Sequence, residues 1–99
     1  MQHDPLYQHL TDEAGTITWQ ELQPHFARGV LVVVAESLDL IEVATRFARD
    51  EQDAVARWAT TGQVARACDA DARRWILANP LLQAVVVAPW VLVQEPRRH

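Results

Sequence analysis

The sequence contains no lysine and a single cysteine, and its charge balance is acidic. All nine cationic side chains are arginines, and the formal net charge is −4. This charge gives no general attraction for phosphate groups or anionic lipids, which argues against nucleic-acid and membrane partners. The single cysteine, Cys68, excludes a disulfide within the chain and is typical of a reducing cytoplasm.

Long apolar segments and targeting signals are missing as well. The longest apolar run, Ala84–Val93, has ten residues, whereas a membrane-spanning helix needs about 20. The N-terminus lacks a basic segment followed by an apolar core, so no signal peptide is predicted. We therefore predict a soluble cytoplasmic protein.

Catalytic and cofactor motifs are equally scarce. The three glycines form no phosphate-binding loop, and the chain has no His-x-x-x-His, Cys-x-x-Cys or Gly-x-Ser-x-Gly spacing. Cys68 has no base assigned to it by the sequence, which favours a plain, partly buried thiol. We therefore predict no cofactor, and the absence of a complete catalytic set favours a protein that is not an enzyme.

The length and composition of the chain indicate one ordinary globular domain. The chain has 99 residues, of which 49% are hydrophobic and 22% charged. That length supports one core and is too short for two. We predict a single domain over residues 1–99, ordered over about 5–95, with a loose tail at 96–99.

Several helices are indicated by capping residues and apolar periodicity. Pro24 predicts a kink or a restart within the second helix, because proline clashes inside a helix. In the last helix, Ala72, Trp75 and Ile76 are predicted to share one apolar face. The helix-start signals are Asp4 before Pro5, Thr18 with Glu21, Asp39 with Glu42, and Asp69. A further helical segment is predicted at about Glu51–Thr61.

Two apolar runs, Val30–Ala35 and Ala84–Val93, are predicted to be strands. Neither alternates polar and apolar residues, so both faces of each strand should be covered by helices or by another chain. Gln63–Ala67 is a candidate short strand. The pattern predicts an α+β or small α/β fold, with a two- to three-stranded sheet and about four to five helices, in which the two apolar runs are neighbours.

Pro89 interrupts the last run, because proline cannot donate to a strand ladder and occurs at edges or bulges. We expect a bulge that divides the run, with Ala84–Ala88 pairing inside the monomer and Trp90–Gln94 near an edge. The outer half would then attach a second copy of the chain. The predicted homodimer interface consists of Pro89, Trp90, Leu92 and Gln94.

A second candidate site lies after the first apolar strand. Glu36, Ser37 and Asp39 follow Val30–Ala35, and His25 precedes it. Ligands of α/β sheets bind near the carboxyl ends of strands, so these side chains could form an oxygen-rich metal site or an acid/base pair. Helix capping by Ser37 and Asp39 explains the same residue types and remains the alternative.

A helix pair followed by a short strand also permits a winged-helix interpretation. The second helix of the pair would enter the major groove by its first residues, which are Glu51, Gln52 and Asp53. Two carboxylates facing phosphates have the wrong sign, so nucleic-acid binding is a distant third hypothesis.

Three separated segments resemble a known family. They are Trp-Gln-Glu-Leu-Gln-Pro-His-Phe-Ala-Arg-Gly at 19–29, Leu-Asp-Leu-Ile-Glu-Val-Ala at 38–44 and Ala-Pro-Trp-Val-Leu-Val-Gln at 88–94. The family is a small bacterial one known as the domain of unknown function DUF2288. The resemblance implies a compact single-domain protein and supplies no catalytic residues.

The leading hypothesis is therefore a small non-enzymatic protein that acts through protein–protein contacts and forms a homodimer. The alternative is a small-ligand or metal-binding protein that uses Glu36, Asp39 and His25. Both hypotheses rest on where the strands place these residues.

Overall fold

A computed structural model of the protein describes residues 4–96, which form an α+β fold. Residues 97–99 of the predicted tail lie outside the described residues. The five helices in this range are α1 (Pro5–Glu13), α2 (Trp19–Ala27), α3 (Leu40–Ala48), α4 (Gln52–Thr60) and α5 (Asp69–Ala78). The strands are β1 (Gly15–Ile17), β2 (Leu31–Val34), β3 (Val64–Arg66), β4 (Leu82–Val87) and β5 (Trp90–Gln94).

The five strands form one mixed sheet in the order β1-β4-β5-β2-β3. β2 and β5 run parallel, and the other neighbours are antiparallel. The expectation that the two apolar runs are neighbours is confirmed by the β2–β5 pair. The predicted count of two to three strands is wrong, because β1 has too few residues to show a pattern and the last run forms two strands.

Helices cover both faces of the sheet, which explains why its long strands do not alternate. On one face, β-strand valines pack with Leu10 of α1, Val43 of α3 and Trp58 of α4. On the other face, Trp19 of α2 and Trp75 of α5 pack together, with ring centroids 6.1 Å apart. The molecule is therefore a three-layer sandwich with a core on each side of the sheet.

Pro89 lies in a turn and not in a bulge. Ala88 and Pro89, joined by a cis peptide bond, connect β4 to β5 in a tight hairpin in which Val87 pairs with Trp90. A turn residue needs no ladder hydrogen bond, so proline fits there. β5 is the central strand, and the expectation that Trp90–Gln94 lies near a sheet edge is wrong.

Most of the predicted helix starts are confirmed by side-chain bonds. Asp4 and Asp39 accept N–H bonds as N-caps, and Thr18 with Glu21 forms the capping box. α5 differs, because Cys68 and not Asp69 is its N-cap, with the Asp71 carboxylate accepting the Cys68 N–H.

Three further expectations need correction. Pro24 does not restart α2, which runs from Trp19 to Ala27 as one helix. Ile76 does not join the buried face of α5 and is 57% exposed. Cys68 is exposed, not partly buried.

The winged-helix arrangement does not form. α3 and α4 do follow each other, separated at Asp50, whose φ of 55° is left-handed. β3, however, pairs with the earlier strand β2 as an edge of the main sheet. A wing would instead require a hairpin of its own after the helix pair.

No helix within residues 4–96 is long and apolar enough to cross a membrane.

Candidate functional site

The carboxyl ends of the parallel strands β2 and β5 lie at the same end of the sheet, and a cleft forms there. Its volume is about 600 Å³, within the range of ligand pockets. We call it the carboxyl-end cleft. It is lined by Thr16, Glu36, Leu38, Asp39, Leu40, Ile41, Leu81, Gln83, Gln94, Glu95 and Pro96.

Gln94 fixes the loop that forms one wall of the cleft. Its side-chain amide donates to the carbonyl of Ala35 at 2.8 Å and to that of Leu38 at 2.7 Å. Both carbonyls belong to the connection between β2 and α3. Gln94, predicted as an interface residue, therefore acts inside the monomer as a clamp on this loop.

Asp39 lines the cleft but has its carboxylate occupied on both oxygens. Oδ1 accepts the backbone N–H of Ile41 at 2.9 Å and that of Glu42 at 3.4 Å. Oδ2 accepts the Tyr7 hydroxyl at 2.6 Å. This hydrogen bond raises the pKa of Tyr7, with burial and the charges of Asp39 and Glu42 adding to the effect. The contacts of Asp39 favour the capping interpretation.

Glu95 also lines the cleft and is held there by a network with α5. Its Oε1 accepts the buried indole N–H of Trp75 at 2.7 Å and the Arg74 Nε–H at 2.8 Å. Arg74 also donates to Asp71 at 2.9 Å. These two carboxylates raise the pKa of the Arg74 guanidinium, mainly through the bond to Glu95.

The pKa of Asp71 is lowered by the same network. Burial is the largest single influence and acts to raise it. The hydrogen bonds from Cys68 and Arg74 favour the ionised form and together outweigh burial.

The structure brings Glu36 and Asp39 together at the cleft and separates them from His25. His25 lies in the last turn of α2, where its carbonyl accepts the Val30 N–H at the amino end of β2. Its ring nitrogen Nδ1 is 2.7 Å from the Arg28 guanidinium. Within residues 4–96, no three His, Cys, Asp or Glu side chains converge as a metal site would require.

The predicted interface residues occupy different environments. Leu92 is buried in the core, and both edges of β5 are paired, with β4 on one side and β2 on the other. Trp90 is half-buried, and the Arg66 guanidinium lies 5.2 Å from its ring centroid. Trp90 also lines an apolar cavity of about 320 Å³ beside Phe47, Val55 and Ala56. β5 therefore has no free edge for an added strand.

Three polar residues of the cleft were missed by the sequence reasoning, namely Thr16, Gln83 and Glu95. Thr16 and Gln83 come from β1 and β4, and only the order of strands brings them beside α3. Glu95 carried a usable signal, because it is the first charged residue after an apolar strand.

A comparison with solved structures supports this fold. A comparison with curated proteins gave no significant match. The NMR solution structure of PA1075 from Pseudomonas aeruginosa is similar, with a TM-score of 0.84 and 43% sequence identity over 98% of this chain and 90% of that chain.

The family described as protein of unknown function (DUF2288) matches residues 5–95. The matched range includes the three segments that resemble this family. The prediction is confirmed, and the chain belongs to the DUF2288 family.

Proposed function

We propose that this protein is non-enzymatic and acts through protein–protein contacts, including association with a second copy of itself. The observation that carries the proposal is a set of large apolar side chains left at the surface, 57 to 87% exposed, although both faces of the sheet are covered. Apolar side chains that gather at the surface of a small protein are typical of interaction sites. They are Ile76, Leu77, Leu81 and Val86.

The arrangement of these residues supports the proposal. Ile76, Leu77 and Leu81 lie within six residues, where α5 ends and the chain enters β4. Val86 lies on β4 itself. Of the four exposed residues, Val86 lies in the apolar run Ala84–Val93, and the other three precede that run. None of the four is among the predicted interface residues.

The experiment is a measurement of molecular mass over a wide range of concentration. We expect sedimentation equilibrium to show reversible self-association between micromolar and millimolar protein. A strictly monomeric chain over that whole range would contradict the proposed self-association.

A second candidate function is binding of a small cationic ligand in the carboxyl-end cleft. The observation that favours it is the shared position of Glu36 and Asp39 on the wall of one cavity. Glu95 adds a third carboxylate to that wall, and carboxylates attract cations. Apolar residues such as Leu38 and Leu81 would contact the carbon chain of an organic amine.

NMR titration with small alkyl diamines and with divalent cations tests this second function. We expect amide shifts confined to residues of the cleft, reduced in Glu36→Gln and unchanged in Glu13→Gln, an exposed position on α1. Shifts that are absent, or equal in both variants, would contradict ligand binding at this cleft.

A further inference from the structure

We propose that the open half of β4, Val85–Val87, is the surface through which two copies of the chain pair edge to edge. We call these three residues the open β4 edge. This inference rests on the proposed self-association and names the contact that produces it.

The direction of the backbone groups on this edge follows from one hydrogen bond on the neighbouring strand. The Val91 N–H donates to the Val30 carbonyl at 3.0 Å, on the β2 side of β5. In an antiparallel ladder, two opposite residues exchange both hydrogen bonds or neither. Val91 lies opposite Val86, so these two residues exchange neither. The N–H and C=O of Val86 therefore point away from β5.

No strand within residues 4–96 reaches Val86 on that outer side. β1 is the outer neighbour of β4, and its last pair in this direction joins Gly15 to Ala84. Beyond Ala84, β4 continues for three more residues, Val85–Val87, which have no partner in β1. Unpaired N–H and C=O groups on a strand edge are a template for pairing with another strand.

A second copy of the chain fits this edge because the edge is complementary to itself. Antiparallel pairing around a two-fold axis at Val86 places valine opposite valine at all three positions. The two Val86 residues then exchange both backbone hydrogen bonds, with their Cα atoms about 5.5 Å apart. A two-fold contact of this kind uses the same patch on both subunits.

The side chains of the open β4 edge agree with such pairing. Val86 is 60% exposed, and its partner across the axis would cover it. Val85 is already buried against the core, so it keeps its contacts. The edge carries no charge, whereas natural sheet edges that avoid pairing place lysine or other charges there.

The small size of the contact limits its strength. Three residues per copy bury much less than the roughly 1,200–2,000 Å² of a stable complex, so we expect a weak, transient dimer. It is best measured at high protein concentration.

The first test compares three lysine substitutions by sedimentation equilibrium. Val86→Lys introduces a charge at the centre of the pair, and we expect its dissociation constant to rise at least about tenfold. Ala65→Lys is the matched control on β3, the opposite edge of the sheet. Leu77→Lys removes the most exposed apolar side chain, at the end of α5. Both should stay within about twofold of the wild type.

The second test measures the hydrogen exchange of individual backbone amides. The Val86 amide should exchange with deuterium more slowly as protein concentration rises, because its N–H becomes bonded across the axis. The Val85 amide, which points toward β5, should exchange at the same rate at every concentration. Circular dichroism of Val86→Lys checks that the variant is folded.

The possible results distinguish the open β4 edge from self-association in general. If Val86→Lys self-associates as strongly as the wild type, the proposal that the open β4 edge forms the contact is contradicted. The proposed self-association itself would still hold. Dissociation of the dimer by Leu77→Lys alone would likewise overturn the open β4 edge, because the contact would then lie at the end of α5. A wild-type chain that stays monomeric up to millimolar concentration would overturn both.

Discussion

Val86 and Val91 are the same residue type, lie directly opposite each other, and have opposite environments. Val91 is 3% exposed and Val86 is 60% exposed. β5 is paired on both sides, whereas β4 is paired with β5 over Gln83–Val87 and with β1 only over Leu82–Ala84. The contrast shows that position in the sheet, and not residue type, decides whether a valine of this apolar segment is covered.

The contrast continues at the other end of the same strand pair. Gln83 and Gln94 are also opposite each other and identical in type. Gln94 bonds two loop carbonyls, whereas the Gln83 side chain is exposed at the carboxyl-end cleft. At both of these positions the β5 residue is buried or hydrogen-bonded within the fold, whereas the β4 residue is exposed.

The largest expected effect is on the free energy of unfolding when Val91 and Val86 are each replaced by alanine. Val91→Ala should lower the free energy of unfolding by about 2 kcal/mol, since it removes two buried methyl groups and leaves a cavity. Val86→Ala should lower it by less than about 0.5 kcal/mol, because the methyl groups lost are exposed. Urea denaturation at low protein concentration, where self-association does not contribute, measures both values.

Equal losses in these two variants would contradict the assignment of β5 as the covered strand and β4 as the open one. A large loss in Val86→Ala alone would show that the open β4 edge is covered within the monomer.

A smaller effect is expected for the two glutamines. Gln94→Ala should lower the free energy of unfolding by about 1–2 kcal/mol, because the carbonyls of Ala35 and Leu38 each lose a hydrogen bond in a half-buried loop. Gln83→Ala is the matched control and should be nearly neutral. Denaturation monitored by tryptophan fluorescence gives the values. If the two variants prove equally stable, Gln94 does not clamp the loop.

The helix caps and the pairing of the two apolar runs were predictable from the sequence, whereas the number and order of the strands were not. The caps at Asp4, Thr18 and Asp39 each depend on a few neighbouring residues, and the structure confirms them. The prediction for Pro89 is wrong because a bulge and a hairpin turn both tolerate a missing N–H. Choosing between them required knowing that the two halves of the run pair with each other as β4 and β5.

The candidate site divides in the same way. Glu36 and Asp39 follow β2 directly, so the rule about carboxyl ends of strands was enough to place them together. The placement of His25 is wrong because the last turn of α2 is tied to the amino end of β2. Thr16 and Gln83 reach the cleft only through the pairing of β1 with β4, a contact between segments far apart in the chain.

The smallest expected effect concerns the ionic network that holds the end of β5 to α5. Asp71 accepts bonds from the Cys68 N–H and from Arg74, which itself bonds Glu95 just after β5. Asp71→Asn should lower the free energy of unfolding by about 0.5–1 kcal/mol at neutral pH, since a charge-assisted bond at a partly exposed site is lost.

The pH dependence of that difference identifies Asp71 as its source. The pKa of Asp71 in the folded chain is lowered from 3.8, so its stabilising effect is fully present above that value and disappears as pH falls through the folded pKa. We therefore expect wild type and Asp71→Asn to differ by a constant amount at neutral pH and to converge in acid below pH 3.8. Urea denaturation across this range measures the convergence. A difference that persists undiminished in strong acid would mean that the asparagine disturbs packing, and that the carboxylate charge does not anchor the end of β5.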